Sequence, residues 1–213
     1  ERLLEDEDAV KNLYFNEGYV FFNVIPTEAR IENDSVDLEI RMVEGVQATI
    51  NRVTISGNER LYEEVVRREL YTLPGNLFSM DALERSYRAI ANMGHFDPEK
   101  IDPGVVPNPE NGTVDMNWKL ETKSSDQIEL SAGWGQTGVI GKLALKFTNF
   151  SMRNIFRKSA LRRGIIPQGD GQTLSISAQT NGTYYQAYNI SFFDPWLGRK
   201  RPNSFSVSAF MSM

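Results

Sequence analysis

The sequence contains no cysteine, a single histidine, and no apolar run long enough for a transmembrane helix. The lack of cysteine excludes disulfides, thiolate metal sites and a thiol nucleophile. If the chain enters a membrane, it must do so as β-structure, because only helices and closed barrels satisfy their backbone hydrogen bonds in lipid. A content of 40% hydrophobic and 24% charged residues predicts a folded chain.

The chain changes character near residues 124–125. Residues 1–125 contain 24 acidic and 13 basic residues, a net charge of −11, whereas residues 126–213 contain 4 acidic and 10 basic residues, a net charge of +6. The first part has the mixed pattern of an α+β protein. The second part consists of short segments in which apolar and polar residues alternate. We therefore predict two kinds of structure joined near this point.

The acidic part repeats itself at a spacing of about 76–78 residues. Each copy has a helix that ends at a glycine, Gly18 or Gly94, and both glycines are candidates for the left-handed residue that closes a helix. Each copy then continues into a strand of period two that follows a turn. The two strands carry Val36, Leu38, Ile40 and Met42 in the first copy, and Val114, Met116, Trp118 and Leu120 in the second.

The second copy reads as β-α-α-β-β. We predict a strand from Ile50 to Ser56, a helix over residues 59–70 capped by Asn58, and a second helix capped by Ser79. Two strands follow, at about 96–106 and 113–121. The first copy begins within its second helix. We therefore expect residues 1–46 to be the end of one small domain and residues 47–124 to be a complete one.

Residues 125–213 read as about five strands with one apolar and one polar face. Strands of this length with aromatic residues near their ends favour a membrane barrel with its apolar side toward lipid. Periodicity alone leaves open a soluble sandwich or lipocalin-like barrel with that face inward. Tight turns at 136–138 and 181–182 alternate with two longer basic connections, which contain Arg153, Arg157, Lys158, Arg162, Arg163, Arg199, Lys200 and Arg201. These connections could meet phospholipid headgroups or acidic domains, or serve solubility alone.

No motif in the sequence indicates a set of catalytic residues. His95 sits where a helix is predicted to end, and we read it as a turn residue. The carboxylates lack the spacing of a metal loop, and Gly133-x-Gly135 lacks the context of a phosphate-binding loop. We therefore expect no enzymatic activity, no catalytic residues, no metal, no cofactor and no nucleic-acid partner.

The order of several motifs resembles the BamA family of outer-membrane assembly factors, in which POTRA domains (each β-α-α-β-β) precede a β-barrel. Single motifs are weak, but their order and spacing are specific and cover nearly the whole chain. A weaker similarity, in residues 166–172, is to Bacteroidetes-type members. The resemblance rests on Ile55-Ser56-Gly57-Asn58, Val65-Val66-Arg67-Arg68-Glu69-Leu70, Ala91-Asn92-Met93-Gly94-His95-Phe96, the strand 114–120, Gly133-Trp134-Gly135, and Asn189-Ile190-Ser191-Phe192-Phe193-Asp194-Pro195-Trp196.

The resemblance implies a fold of α+β POTRA repeats followed by the first antiparallel strands of a transmembrane β-barrel, here residues 125–213. Single-chain membrane barrels use at least about eight strands, so we expect a fragment of a longer protein. It implies location in the bacterial outer membrane with the POTRA domains in the periplasm. It also implies that the chain helps to fold and insert outer-membrane proteins, with unfolded outer-membrane proteins, outer-membrane lipid and periplasmic-side lipoproteins as partners.

In such proteins the first barrel strand receives a strand of the substrate, by β-augmentation. The resemblance places that strand at about 127–136 here. We predict that substrate binds mainly through the backbone, and that proline at Ser131 impairs assembly if the Ser131 N–H faces the substrate. The predicted residues are Ile128, Glu129, Leu130, Ser131, Ala132, Gly133 and Trp134.

Three consecutive residues of the predicted first POTRA helix, Arg67, Arg68 and Glu69, are candidates for binding a lipoprotein, against the simpler alternative of a solvated helix face. Two further functions remain open from sequence. One is a POTRA-barrel transporter that secretes a polypeptide through a closed lumen lined by residues such as Glu129, Lys142 and Lys146. The other is a soluble binding module of POTRA-like domains joined to a sandwich.

Overall fold

The computed structural model describes residues 10–32, 35–136, 138–155, 166–182 and 184–213. The basic residues predicted at 157, 158, 162 and 163 lie outside these ranges. Contacts between residues divide the chain into two compact units. The first contains residues 1–57, 69–92 and 98–120, and the second contains residues 58–68, 93–97 and 121–213. This division differs from the expected boundary at 124–125, because two short segments of the acidic part group with the strands that follow.

The first unit begins with helical residues 10–16 (α1) and a hairpin of β1 (Asn23–Glu32) and β2 (Ser35–Val43). Gly18 follows α1 with a φ of +88°, the left-handed conformation predicted for it. The first copy joins the rest of this unit through backbone and side-chain hydrogen bonds. The Ala48 N–H donates to the Gly18 carbonyl (2.8 Å), and the Asn16 side chain accepts from the Asp81 N–H (2.8 Å).

The second copy contributes β3 (Thr49–Ser56), α3 (Met80–Asn92), β4 (Val105–Asn108) and β5 (Thr113–Lys119) to this unit. The strands form one sheet in the order β3-β5-β4, in which β3 and β5 are parallel and β4 and β5 antiparallel. Ser79 precedes α3 and its hydroxyl accepts from the Ala82 N–H (3.4 Å), as predicted for a cap. The buried core includes Ile50, Val53, Ile90, Val114, Met116 and Trp118.

The predicted strand at 96–106 is mostly wrong. Residues Pro98–Lys100 form a 3-10 turn, and only β4, starting at Val105, pairs as a regular strand. Within the first unit, Asp102 forms an isolated bridge to Lys119. Pro98 and Pro103 lie in the part that does not form a regular strand, and proline has no N–H to donate to a ladder.

The second unit contains a short helix α2 (Glu63–Arg67), a 3-10 turn (Met152–Asn154) and five strands. None of the helices in the described part of the chain is long and apolar enough to cross a membrane. The strands form an antiparallel meander in the order β10-β9-β8-β7-β6. They are β6 (Gln127–Gly135), β7 (Gly138–Phe150), β8 (Gln172–Asn181), β9 (Gln186–Asp194) and β10 (Phe205–Ser212).

The strand register sorts this sheet into two faces of opposite character. One row of paired residues runs across all five strands and is wholly apolar; it consists of Ile128, Leu145, Ile176, Ile190 and Ala209. The adjacent residues on the other face make a polar row of Gln127, Lys146, Ser175, Ser191 and Ser208. Because side chains alternate along a strand, the predicted pattern becomes one continuous apolar face and one mainly polar face.

Candidate functional site: the free edge of strand β6

Strand β6 lies at the edge of the described sheet and pairs only with β7 there. Its apolar side chains are strongly exposed: Ile128 by 74%, Leu130 by 78% and Trp134 by 83%. An edge strand presents a row of unpaired N–H and C=O groups to one side, which is a template for another strand. The structure therefore brings the predicted residues 128–134 together on one edge.

The register shows which backbone groups of β6 face that edge. The Gly182 N–H donates to the Val139 carbonyl (2.8 Å), so the backbone polar groups of Val139 are directed toward β8. Along a strand, the backbone N–H and C=O groups of successive residues point alternately to the strand on one side and the strand on the other. In β7, therefore, the groups of Ile140, Lys142 and Ala144 are directed toward β6. Their partners in β6 are Gly133, Ser131 and Glu129, and the outward groups belong to Ile128, Leu130, Ala132 and Trp134.

This alternation settles the condition attached to the prediction for Ser131. Its N–H faces β7, where Ser131 pairs with Lys142, and it does not face the open edge. Proline at Ser131 would therefore break the sheet rather than block an incoming strand. The corresponding outward N–H groups are those of Leu130 and Ala132, one residue to either side.

Hydrogen bonds from residues 125 and 126 hold the start of β6 in place, whereas the space around Gly133 near its other end is unfilled. The Asp126 carboxylate accepts from the Thr148 N–H (3.0 Å) and lies 3.7 Å from the Arg60 guanidinium. The Ser125 and Thr148 hydroxyls are 2.5 Å apart. At the other end Gly133 has no atom within 4 Å of the position that a Cβ would take. Glycine in a strand weakens local order, so this end of β6 is held less firmly than its start.

Residues around α2 are joined to the β7–β8 connection by a dense polar network. The Tyr62 N–H donates to the Gly169 carbonyl (2.9 Å), and its hydroxyl exchanges hydrogen bonds with the Asn154 side chain (2.8 and 3.1 Å). The Arg153 guanidinium lies 3.9 Å from the centre of the Tyr62 ring. It also pairs with Glu64 (2.8 Å) and with buried Asp170 (2.9 Å). Arg153 of the basic connection therefore binds acidic residues of this unit.

Helix α2 is shorter than predicted, at Glu63–Arg67 instead of residues 59–70. The Asn58 side chain bonds the Leu61 carbonyl (3.2 Å) in a turn and does not cap a helix. In a helix beginning at Glu59, the Tyr62 N–H would donate to the carbonyl of Asn58, four residues earlier. Here the Gly169 carbonyl takes that hydrogen bond, and the helix begins four residues later than predicted, at Glu63.

His95 is buried beside this network. Gly94 precedes it with a φ of +72°, which confirms the predicted left-handed glycine. Burial lowers the pKa of His95, and the positive charge of Arg60 lowers it further, while the carboxylate of Asp126 acts in the opposite direction. The neutral imidazole is therefore the form that the fold favours.

The three residues predicted to bind a lipoprotein have different environments. Arg67 pairs with Glu63 one helical turn earlier (2.5 Å). The Arg68 guanidinium lies 5.0 Å from the centre of the Trp196 ring, within the same unit. Arg67, Arg68 and Glu69 are each half-buried. Among the described residues there is no group of three His, Cys, Asp or Glu side chains arranged to hold a metal ion.

A family model described as "POTRA: Surface antigen variable number repeat" matches residues 1–45 and 48–123. The chain belongs to the POTRA family. The β-α-α-β-β order predicted for the second copy is that of a POTRA domain, and the observed order β3, α2, α3, β4, β5 has it.

Curated relatives and solved structures extend the similarity beyond the POTRA repeats. The chain is 27% identical over 192 residues to the outer membrane protein assembly factor BamA of Neisseria meningitidis serogroup B, covering 88% of this chain and 21% of that protein. The chain thus spans about a fifth of the length of this curated relative. It is also similar to BamA from Haemophilus ducreyi lacking POTRA domains 1–3, with a TM-score of 0.73 at 19% identity over 99% of this chain and 36% of that one.

A second solved structure is similar but fits less well. CdiB from Acinetobacter baumannii has a TM-score of 0.50 at 15% identity, covering 96% of this chain and 35% of that one. At these identities the likeness concerns the fold. The fold predicted from sequence is confirmed: POTRA repeats precede an antiparallel sheet like the barrel portion of BamA.

Proposed function

We propose that this chain is part of the central subunit of a machinery that folds and inserts β-barrel proteins into the bacterial outer membrane. In this proposal residues 1–46 and 47–124 are POTRA segments in the periplasm, and residues 125–213 are barrel strands in the membrane. The observation that carries the proposal is the sequence similarity to BamA over 88% of this chain, and the continuous apolar face of the β6–β10 sheet supports it.

The mechanism requires no covalent step. A substrate strand in lipid cannot leave its backbone N–H and C=O groups unpaired, because each unpaired group costs several kcal/mol there. Outward groups of β6 at Ile128, Leu130, Ala132 and Trp134 satisfy one side of that strand. The substrate is thus an unfolded outer-membrane protein, bound mainly through its backbone.

The apolar face is the reason for placing the sheet in a membrane. Exposed residues on it include Leu143 at 43%, Ile190 at 48%, Val207 at 51% and Met211 at 53%. A contiguous apolar surface of this extent is rare in a protein that stays in water. It therefore argues against the soluble binding module, while the polar face suits the inside of a barrel.

Periplasmic-side lipoproteins are the proposed partners of the POTRA segment, with Arg67, Arg68 and Glu69 as candidate contacts. Since Arg68 already stacks on Trp196, a partner there would have to compete with that contact. The pair of Arg67 with Glu63 is partly exposed, and such a pair is weak in water.

The proposal predicts that Leu130→Pro blocks assembly in the full-length protein. Proline removes the outward N–H of Leu130 and leaves the β6–β7 hydrogen bonds in place. Leu130→Ala is the matched control, because it removes the side chain and keeps the N–H. We expect the yield of folded substrate barrels in cells to fall at least about tenfold for proline and little for alanine, in line with the loss of about one hydrogen bond in a dry site. Normal assembly by a membrane-inserted Leu130→Pro protein would contradict strand templating.

Photocrosslinking from position 131 in the full-length protein in cells separates this function from secretion. Crosslinks to the C-terminal strands of other outer-membrane proteins support assembly. Crosslinks to the protein's own last barrel strand alone would indicate a closed barrel, and the transporter would then be the better proposal.

A further inference from the structure

The connection between β9 and β10 forms an ordered turn. Its Leu197 N–H donates to the Asn203 carbonyl (2.8 Å), and its Arg199 N–H donates to the Trp196 carbonyl (2.9 Å). Gly198 and Arg199 both have positive φ, at 81° and 61°. An arginine in that conformation is uncommon, so the hydrogen bonds must hold the turn against some strain. The turn projects Lys200 and Arg201 at its tip.

The basic residues of the two connections have two kinds of surroundings. Arg153 pairs with Glu64 and Asp170, and the Arg199 guanidinium lies 3.8 Å from Glu64. Lys200 and Arg201 are exposed, and no carboxylate in the described part of the chain lies within ion-pair distance of either. Two positive charges are thus left for a partner outside the described residues.

The tip borders the apolar face of the sheet. Asp194 and Phe205, at the two ends of the turn, pair with each other, and the next pair on the same face of the sheet is Phe192 with Val207. Leu197 within the turn is 51% exposed, and Phe205 is 42% exposed. Apolar side chains next to unpaired basic ones, at the end of an apolar sheet face, are the arrangement found at a membrane surface.

We propose that Lys200 and Arg201 bind the headgroups of anionic phospholipids in the leaflet where β6 begins, with Leu197 inserted at the boundary of the acyl chains. This inference rests on the proposed function, because it requires the sheet to lie in a bilayer. A lipid fits this surface better than an acidic protein does, since the tip adjoins the apolar face, where lipid must be present. Arg153 and Arg199 hold the turn in place and do not take part in binding.

The test uses the full-length protein reconstituted in vesicles of mixed phosphatidylcholine and phosphatidylglycerol. Spin-labelled versions of each lipid report, by electron paramagnetic resonance, which one is immobilised on the protein. We expect the wild-type protein to prefer phosphatidylglycerol at its most selective site, and the preference to fall about fivefold for each side chain removed in the K200Q/R201Q variant. The K200R/R201K variant should retain the preference, because it keeps both charges.

A charge-matched control is the R85Q/R88Q variant, which removes two exposed arginines from helix α3. The inference is overturned if the K200Q/R201Q variant keeps the wild-type preference for phosphatidylglycerol. It is also overturned if the R85Q/R88Q variant loses as much of that preference as K200Q/R201Q does. High salt should weaken the preference in the wild-type protein, because these charges are exposed to solvent.

Acceleration of substrate-barrel folding in the same vesicles separates this inference from the proposed function. A protein that accelerates folding but shows no lipid preference would overturn the inference and leave the function standing. A protein that prefers phosphatidylglycerol but does not accelerate folding would support the lipid site and contradict the proposed function.

Discussion

At the scale of single residues, Gly57 has less room for a side chain than the other described glycines of the first unit. Its φ is +80°, and a Cβ there would lie 1.7 Å from the Leu120 carbonyl oxygen. All three nearest atoms belong to the Leu120 backbone, so no flexible side chain can move aside. Gly75 offers a matched comparison, because its φ is +87° but no atom lies within 4 Å of its Cβ position.

We predict that Gly57→Ala costs about 3 kcal/mol or more in the free energy of unfolding, whereas Gly75→Ala costs about 1 kcal/mol. Both variants place alanine in the left-handed region, so the difference isolates the clash with Leu120. Urea unfolding can be followed by the fluorescence of buried Trp118, with Trp134 and Trp196 replaced by phenylalanine. Equal costs for the two variants would mean that the strand pair relaxes to admit the methyl group.

At the scale of elements, the packing of Tyr62 against the β7–β8 connection sets where α2 begins. Gly169 has a φ of +135°, and a Cβ there would lie 2.5 Å from the Tyr62 ring. The ring is held on its other side by Arg153 and at its hydroxyl by Asn154. The connection therefore needs glycine at this position for two reasons, conformation and space.

We predict that Gly169→Ala destabilises the second unit by about 2–3 kcal/mol, and by clearly less when Tyr62→Ala is already present. The coupling arises because the clash disappears with the ring. Gly198→Ala serves as the control, since its φ is +81° and its Cβ position is open. Thermal unfolding in detergent of the wild type, the two single variants (Gly169→Ala and Tyr62→Ala) and the double variant measures the coupling between the two positions. Additive costs would show that the strain comes from backbone conformation alone.

At the scale of the whole molecule, the two faces of the sheet predict opposite responses to charge. Ile176 and Ser177 are adjacent in β8, and the register assigns the first to the apolar row and the second to the polar face. We predict that Ile176→Lys lowers the stability of the full-length protein folded in lipid vesicles by about 2–4 kcal/mol, whereas Ser177→Lys costs little. Equal costs, measured by equilibrium folding into the vesicles, would place both faces in similar surroundings.

The sequence by itself determined the features that depend on residue order alone. Comparison of the chain with itself showed the repeat, and its motifs resemble those of POTRA domains. The helix-ending glycines at 18 and 94 and the separation of apolar from polar residues in the later strands follow from neighbouring residues, because side chains alternate in a strand and glycine alone enters the left-handed region without strain. The similarity to BamA of the fold as a whole agrees with these predictions.

Only the tertiary structure decided the features that depend on partners far along the chain. The direction of the Ser131 N–H follows from which residue of β7 it opposes, and alternation of side chains cannot supply that information. The length of α2 depends on Gly169, and the Arg60 side chain bonds Gln168, 108 residues later. Which basic residues are paired, as Arg153 is, and which are left exposed, as Lys200 is, likewise depends on the position of Glu64 after folding.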